Sequence, residues 1–271
     1  MNANFTPADR GGEGSPMVLL HGFTDTWRTW ELVIPALERE HDVLAPTLAG
    51  HAGGPPLNGN VSDALLADAV ERAMDEAGFE TAHVVGNSLG GYVALQLAMR
   101  GRARTVVALA PAGGWAEGDA QREEALGYFV TMKELLQKVA PHAESIVSTP
   151  DGRRRVTMYT TVNYEHIPAD VLAHQMVGAA TCDAVLPFVR HAREHGWTLD
   201  PERIDCPVRV VWGTDDRLLE WPRAAARYRD EWVPTADWVE LEGIGHLPQL
   251  DVPLETAQLI LDFTRDVQPN G

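Results

Sequence analysis

The chain is poor in cysteine, lysine and positive charge, and each shortage removes a class of function. Only two cysteines occur, Cys182 and Cys206, with neither metal-ligand spacing nor the numbers for a disulfide framework. Buried free thiols in a reducing compartment are expected. Lysine occurs only at 133 and 138. In total 22 Lys and Arg oppose 39 Asp and Glu, for a formal net charge of −17. A surface of that sign repels phosphate backbones and anionic lipid, which argues against nucleic-acid and membrane-surface partners. No apolar run is long enough to span a membrane, and residues 1–16 are polar and glycine-rich without an apolar signal core. A cytoplasmic protein is the expectation. No metal or nucleotide signature is visible, so no cofactor is expected. Gly11-Gly12-Glu13-Gly14 is an isolated cluster and a poor phosphate loop.

What is present suits one large α/β domain: 271 residues, 45% hydrophobic and 23% charged. Short continuous apolar runs predict strands at 17–20, 42–46, 82–85, 104–110, 207–213 and 237–241, with a weak edge strand at 3–6. Helical spacing predicts helices at 27–40, 61–77, 89–99, 221–232 and 253–267. Asn60 is a candidate N-cap and Gly78 a candidate stop for the second. Alternating strand and helix implies a mostly parallel sheet flanked by helices. That rhythm breaks at Pro111, and 113–196 is helical throughout. The expected division is a core of 1–112 and 197–271 with 113–196 inserted.

The stretch Gly86-Asn87-Ser88-Leu89-Gly90 joins a buried strand directly to an apolar helix. So sharp a turn forces Ser88 into a strained backbone conformation and lifts its hydroxyl clear of the sheet. Glycine at 86 and 90 removes side chains that would collide where helix crosses strand. A glycine-rich connection with a capping serine is the plainer reading of the same residues.

A serine hydroxyl is a weak nucleophile and needs a base, which needs an orienting acid. His246, in Gly243-Ile244-Gly245-His246 beyond the last strand, is the candidate base. The candidate acid is Asp216 in Trp212-Gly213-Thr214-Asp215-Asp216, with Asp215 the competing choice; either aspartate could simply cap its own turn. The order Ser…Asp…His supports this set. The backbone N–H groups of Leu89, opening the helix, and Phe23, after His21-Gly22, are candidates for an oxyanion hole.

These segments, with the 48–54 loop and Gly245-His246-Leu247-Pro248, together resemble the α/β-hydrolase superfamily. The resemblance implies an α/β-hydrolase fold, places the acid at Asp216, and makes 113–196 a helical lid. Its dehalogenases and epoxide hydrolases use aspartate as nucleophile, so Ser88 points to the serine branch. The expected activity is cleavage of a small-molecule ester through an acyl-enzyme. A carbon–carbon bond hydrolase or lactonase on the same triad is the alternative, and a ligand receptor the alternative outside enzymes. Carbon–carbon hydrolases often carry tryptophan after the histidine, where this chain has Leu247. Ala52 stands where the family often has glycine, and the N-terminal strands look truncated. A monomer or homodimer is expected. Phe129, Met132, Met158, Tyr159, Tyr164, Met176 and Phe188 either line an acyl pocket or pack the insertion. Arg153-Arg154-Arg155 either grips an acidic substrate group or forms a solvated turn.

Overall fold

The computed structural model describes residues 5–57 and 61–265. One sheet contains β1 (Ala8–Gly11), β2 (Ser15–Leu20), β3 (His41–Pro46), β4 (Ala82–Asn87), β5 (Ala103–Leu109), β6 (Val208–Gly213) and β7 (Asp237–Leu241). Their order across it is β1-β3-β2-β4-β5-β6-β7. β1 runs antiparallel to β3, and every other pairing is parallel. Strand side chains alternate between two buried faces. Val18, Leu20, Val84, Val106 and Val210 share a core with helices α2 (Asp63–Ala77) and α3 (Leu89–Met99). Met17, Leu19, Val85, Val107 and Val211 share the other with α1 (Ile34–Leu37) and α10 (Pro253–Arg265). Each such aliphatic side chain contributes roughly 1.5–3 kcal/mol when fully buried. This is the mostly parallel sheet between helices that the resemblance implies.

Between β5 and β6 lie α4 (Ala120–Val139), α5 (Ala143–Val147), α6 (Pro150–Thr157), α7 (Ala169–Thr181) and α8 (Val185–His195). Leu136, Val147, Ile167, Leu172 and Met176 build a separate small core that also takes in Leu247 and Leu250, at and beside α9 (Pro248–Asp251). α8 instead packs Val185, Phe188 and Val189 into the main core. Among the described residues no single helix is long and apolar enough to cross a membrane; α7 and α8 pass that test only as a bent pair.

Three expectations need correction. The edge strand lies at β1: of the stretch expected to form it, Phe5 and Thr6 are irregular, and residues 3–4 lie outside the described residues. β1 is fixed by pairing with β3 and by the Arg10 guanidinium, which donates to both Asp42 carboxylate oxygens at 3.2 and 2.8 Å. The helix expected at 27–40 is a 3-10 turn, Trp27–Trp30, followed by the single turn α1. Pro35 has no N–H to continue a helix through that point, so it begins a new one. The expected apolar face is buried all the same, through Trp30, Val33, Ile34 and Leu37. The helix expected at 221–232 is likewise a 3-10 turn, Arg223–Ala225, and a wide turn, Tyr228–Trp232. Distant partners dictate it: Arg227 N–H donates to Gly114 O at 2.8 Å and the Tyr228 hydroxyl to Ala112 O at 2.6 Å. Asn60 lies outside the described residues; Ser62 precedes α2, and Gly78 ends it in the left-handed region at φ 79°.

Candidate active site

Ser88 occupies the turn from β4 to α3 with φ 54° and ψ −117°. For a residue with a side chain that conformation costs about 1–3 kcal/mol and persists only where the surroundings enforce it. Ser88 N–H donates to Leu109 O at 2.9 Å, while Ser88 O accepts from Ala112 N–H at 3.0 Å and Tyr92 N–H at 3.1 Å. The crossing is too close for side chains. A Cβ on Gly86 would lie 2.2 Å from Gly90 O, and one on Gly90 would lie 2.2 Å from Leu20 O.

His246 follows β7. Its Nδ1 lies 2.7 Å from Asp216 Oδ2, and both side chains are buried. The other carboxylate oxygen, Oδ1, accepts from Leu218 N–H at 2.9 Å and Leu219 N–H at 2.8 Å. The carboxylate is therefore fixed in place and accepts a hydrogen bond from Nδ1–H, which selects the tautomer whose Nε2 is an acceptor. Asp215 is exposed, so of the two competing aspartates Asp216 meets the histidine. Asn87 Nδ2 donates to His246 O at 3.0 Å and to Leu109 O at 3.1 Å, which brings the histidine loop against the serine turn. Ser88 and His246 both line a cavity of about 430 Å³ between the sheet and the helical insertion.

The two candidate oxyanion amides flank this point. Leu89 is the first residue of α3. Phe23 follows Gly22, where an added Cβ would come within 3.3 Å of Ser88 Cβ and 3.1 Å of Asn87 Oδ1. Neither amide donates to a backbone carbonyl among the described residues. The Phe23 turn is tight: Asp25 N–H donates to Gly22 O at 3.2 Å, and Thr24 has φ 69°. His21 supports it. Its Nε2 accepts from Leu48 N–H at 2.8 Å, so Nδ1 carries the proton and donates to Gly22 O at 2.7 Å. Burial, with His51 beside it, drives the His21 pKa well below the ordinary imidazole range, consistent with that neutral form.

Several further residues belong to the site. Asp25 lines the cavity, accepting from Thr26 N–H at 2.8 Å and from Gln175 Nε2 on α7 at 2.7 Å. Burial pushes its pKa up to about 6, although those hydrogen bonds pull the other way. Asp251 accepts from Gly245 N–H at 2.7 Å and from Val162 and Asn163 N–H at 3.0 and 2.5 Å, tying the histidine loop to the insertion. Asp25 had one readable signal, its place in the Phe23 turn; Gln175 and Asp251 had none, because only the folded chain brings them there.

Of the seven apolar candidates, Phe129, Met132, Met158, Tyr159 and Met176 line the cavity. Tyr164 and Phe188 pack into the cores instead. Arg155 lines the cavity but pairs with Asp151 at 2.8 Å; Arg154 pairs with the same carboxylate at 3.1 Å, and Arg153 donates to Ile167 O. Cys182 and Cys206 are free thiols, both raised by burial to about 11.

Comparison with known proteins adds relatives to this geometry. A model of the alpha/beta hydrolase family matches residues 17–259. Epoxide hydrolase EphH of Mycobacterium tuberculosis is 31% identical over 210 residues, covering 78% of this chain and 98% of that one. The 2-hydroxymuconate semialdehyde hydrolase of Pseudomonas sp. strain CF600 is 33% identical over 264 residues, 93% of this chain and 87% of that one. The structure of the meta-cleavage product hydrolase from Pseudomonas fluorescens IP01 superposes with a TM-score of 0.73 at 21% identity, over 96% of this chain and 94% of that one.

Proposed function

The chain belongs to the alpha/beta hydrolase family, and from that premise we propose that it cleaves carboxylic esters through an acyl-enzyme on Ser88. His246 Nε2 takes the hydroxyl proton as Ser88 Oγ attacks the ester carbonyl, and Asp216 holds the resulting imidazolium. The Phe23 and Leu89 N–H groups donate to the oxyanion. Collapse of the tetrahedral species breaks the bond to the alcohol, which leaves with the proton from His246. Water, activated by the same imidazole, then releases the acid. The insertion at 113–196 serves as a lid, and the substrate is a small molecule taken up in the cytoplasm. The net charge of −17 supports the absence of nucleic-acid and membrane partners.

One observation carries this reading: a strained serine and an aspartate-paired histidine share one cavity wall. The nucleophile's chemistry also separates this chain from an epoxide hydrolase cycle. Attack on an epoxide by a serine oxygen leaves an ether, which has no carbonyl for water to attack. Attack on an ester leaves a new ester, which water can hydrolyse. A second reading, carbon–carbon bond hydrolysis, draws support from the 33% identity to the semialdehyde hydrolase.

Turnover of p-nitrophenyl esters of increasing chain length, of lactones and of vinylogous diketones tests both. Esters turned over by the native protein and lost by at least ~10³-fold in Ser88→Ala are the expected result. Turnover of diketones alone would favour the second reading. Negligible turnover with ligand-dependent partner binding would indicate a receptor.

A further inference from the structure

The cavity wall holds a carboxylate for which the triad has no use. Asp25 is only 8% exposed, and it lines the same cavity as Ser88. Its bonds to Thr26 N–H and Gln175 Nε2 come from neutral donors, as does that from Thr29. Among the described residues it makes no ion pair, and the one titratable neighbour acting on it is His51. Burial lowers His51 to about 4, so that ring brings no positive charge near neutrality. The cations on neighbouring elements are engaged elsewhere. Arg28 pairs with Glu31 and Asp170, Lys133 donates to Cys182 O, and Arg155 pairs with Asp151. His174 on α7 bonds the Thr26 hydroxyl at 3.1 Å, and burial lowers it to about 4.

A desolvated carboxylate without a counter-charge is costly to keep. Its cost is recovered when a ligand entering the cavity supplies the missing cation. We propose that Asp25 determines specificity as a cation subsite: the ester cleaved at Ser88 carries an ammonium group a few bonds from its carbonyl, which pairs with the Asp25 carboxylate. Gln175 lines the same cavity and donates its Nε2 to Asp25, which holds the carboxylate in place. The raised pKa of Asp25, about 6, keeps the carboxylate mainly ionised at pH 7 and neutralises it in mild acid.

The kinetic test of this subsite rests on the ester reading above, so it is paired with a binding test that does not. The p-nitrophenyl esters of β-alanine and 4-aminobutyric acid are compared with those of butyric and pentanoic acid, in which a methyl replaces the ammonium. Esters of 3-hydroxypropionic and 4-hydroxybutyric acid serve as neutral donors. The native protein is expected to favour at least one ammonium ester over its alkyl counterpart by ~10-fold or more in kcat/KM. That ratio should fall to about one in Asp25→Asn, and it should decline in the native protein between pH 7 and pH 5. A ratio at or below one in the native protein, a ratio unchanged in Asp25→Asn, or a preference for the hydroxy esters alone would overturn the proposal. In the binding arm, pentylammonium should raise the Tm of Ser88→Ala more than that of Ser88→Ala/Asp25→Asn; equal shifts would overturn it. Failure of every ester with the binding difference intact would count against the ester reading and leave the subsite standing.

Discussion

Asn87 donates its side-chain amide to the carbonyl of His246 at 3.0 Å, joining two loops 159 residues apart. The same NH₂ group reaches Leu109 O at 3.1 Å, so one buried side chain holds together the end of β4, the end of β5 and the histidine loop. The residue before Ser88 thereby fixes the backbone of His246.

Replacing Asn87 by leucine leaves the Leu109 carbonyl with Ser88 N–H alone and the His246 carbonyl as an unsatisfied buried group. Such a group costs about 1–3 kcal/mol. The expected outcome is a fall in stability of roughly 1–3 kcal/mol, read by urea unfolding, with a fall in ester kcat larger than any change in KM. Native stability and kcat in Asn87→Leu would show that the tie is dispensable.

The neighbouring aspartates separate cleanly. Asp216→Asn keeps the shape but offers its amide to the Nδ1–H, favouring the wrong imidazole tautomer, so kcat is expected to fall by at least ~10³-fold. Asp215→Asn, at an exposed position, is expected to stay within about twofold. Steady-state kinetics on the pair decides it, and equal losses would contradict the assignment.

Two helical glycines are expected to respond in opposite directions. In Gly90→Ala the new Cβ would meet Leu20 O at 2.2 Å, so stability should drop by about 3 kcal/mol or more. Gly127 in α4 has nothing within 4 Å of that position. Gly127→Ala should therefore stabilise by about 0.5–1 kcal/mol through helix propensity. Denaturant midpoints measure both.

Mild acid should destabilise the fold. Burial lowers the pKa of His21, His41, His51, His83 and His174, to about 4 for His51, His83 and His174. Between about 6.5 and 4 the unfolded chain takes up protons on these rings that the folded chain does not, so stability falls as pH falls. Asp25 opposes them. Its raised pKa lets the folded state bind a proton below about 6, before the unfolded state does. Asp9, also raised by burial, acts in the same direction as Asp25, but five histidines outweigh the two aspartates, and the Tm at pH 5 is expected below that at pH 7. An equal or higher Tm at pH 5 would contradict this.

The parts of the fold legible in the sequence were those set by local pattern. β7 lies at 237–241 and α3 at 89–99, where a short apolar-rich run and a longer apolar run after the Gly86–Gly90 turn predict a strand and a helix. The segments at 27–40 and 221–232 carry helical apolar spacing yet are broken. Pro35 interrupts the first, and bonds from Arg227 and Tyr228 to Gly114 and Ala112 reshape the second. Spacing reports which side chains are buried, not whether the backbone between them completes its turns. The strained turn at Ser88 and the pairing of Asp216 with His246 were readable because glycines and strand ends mark their loops. Gln175 was not, since it sits in an ordinary helix and meets Asp25 only across 150 residues of chain.

The most direct test is to mix the protein with p-nitrophenyl butyrate, quench during the first turnover, and map the acylated peptide by mass spectrometry. The expected result is a butyryl group on Ser88, formed with a burst of p-nitrophenol and absent from Ser88→Ala. A butyryl group on another residue, or undiminished turnover in Ser88→Ala, would contradict the proposed mechanism.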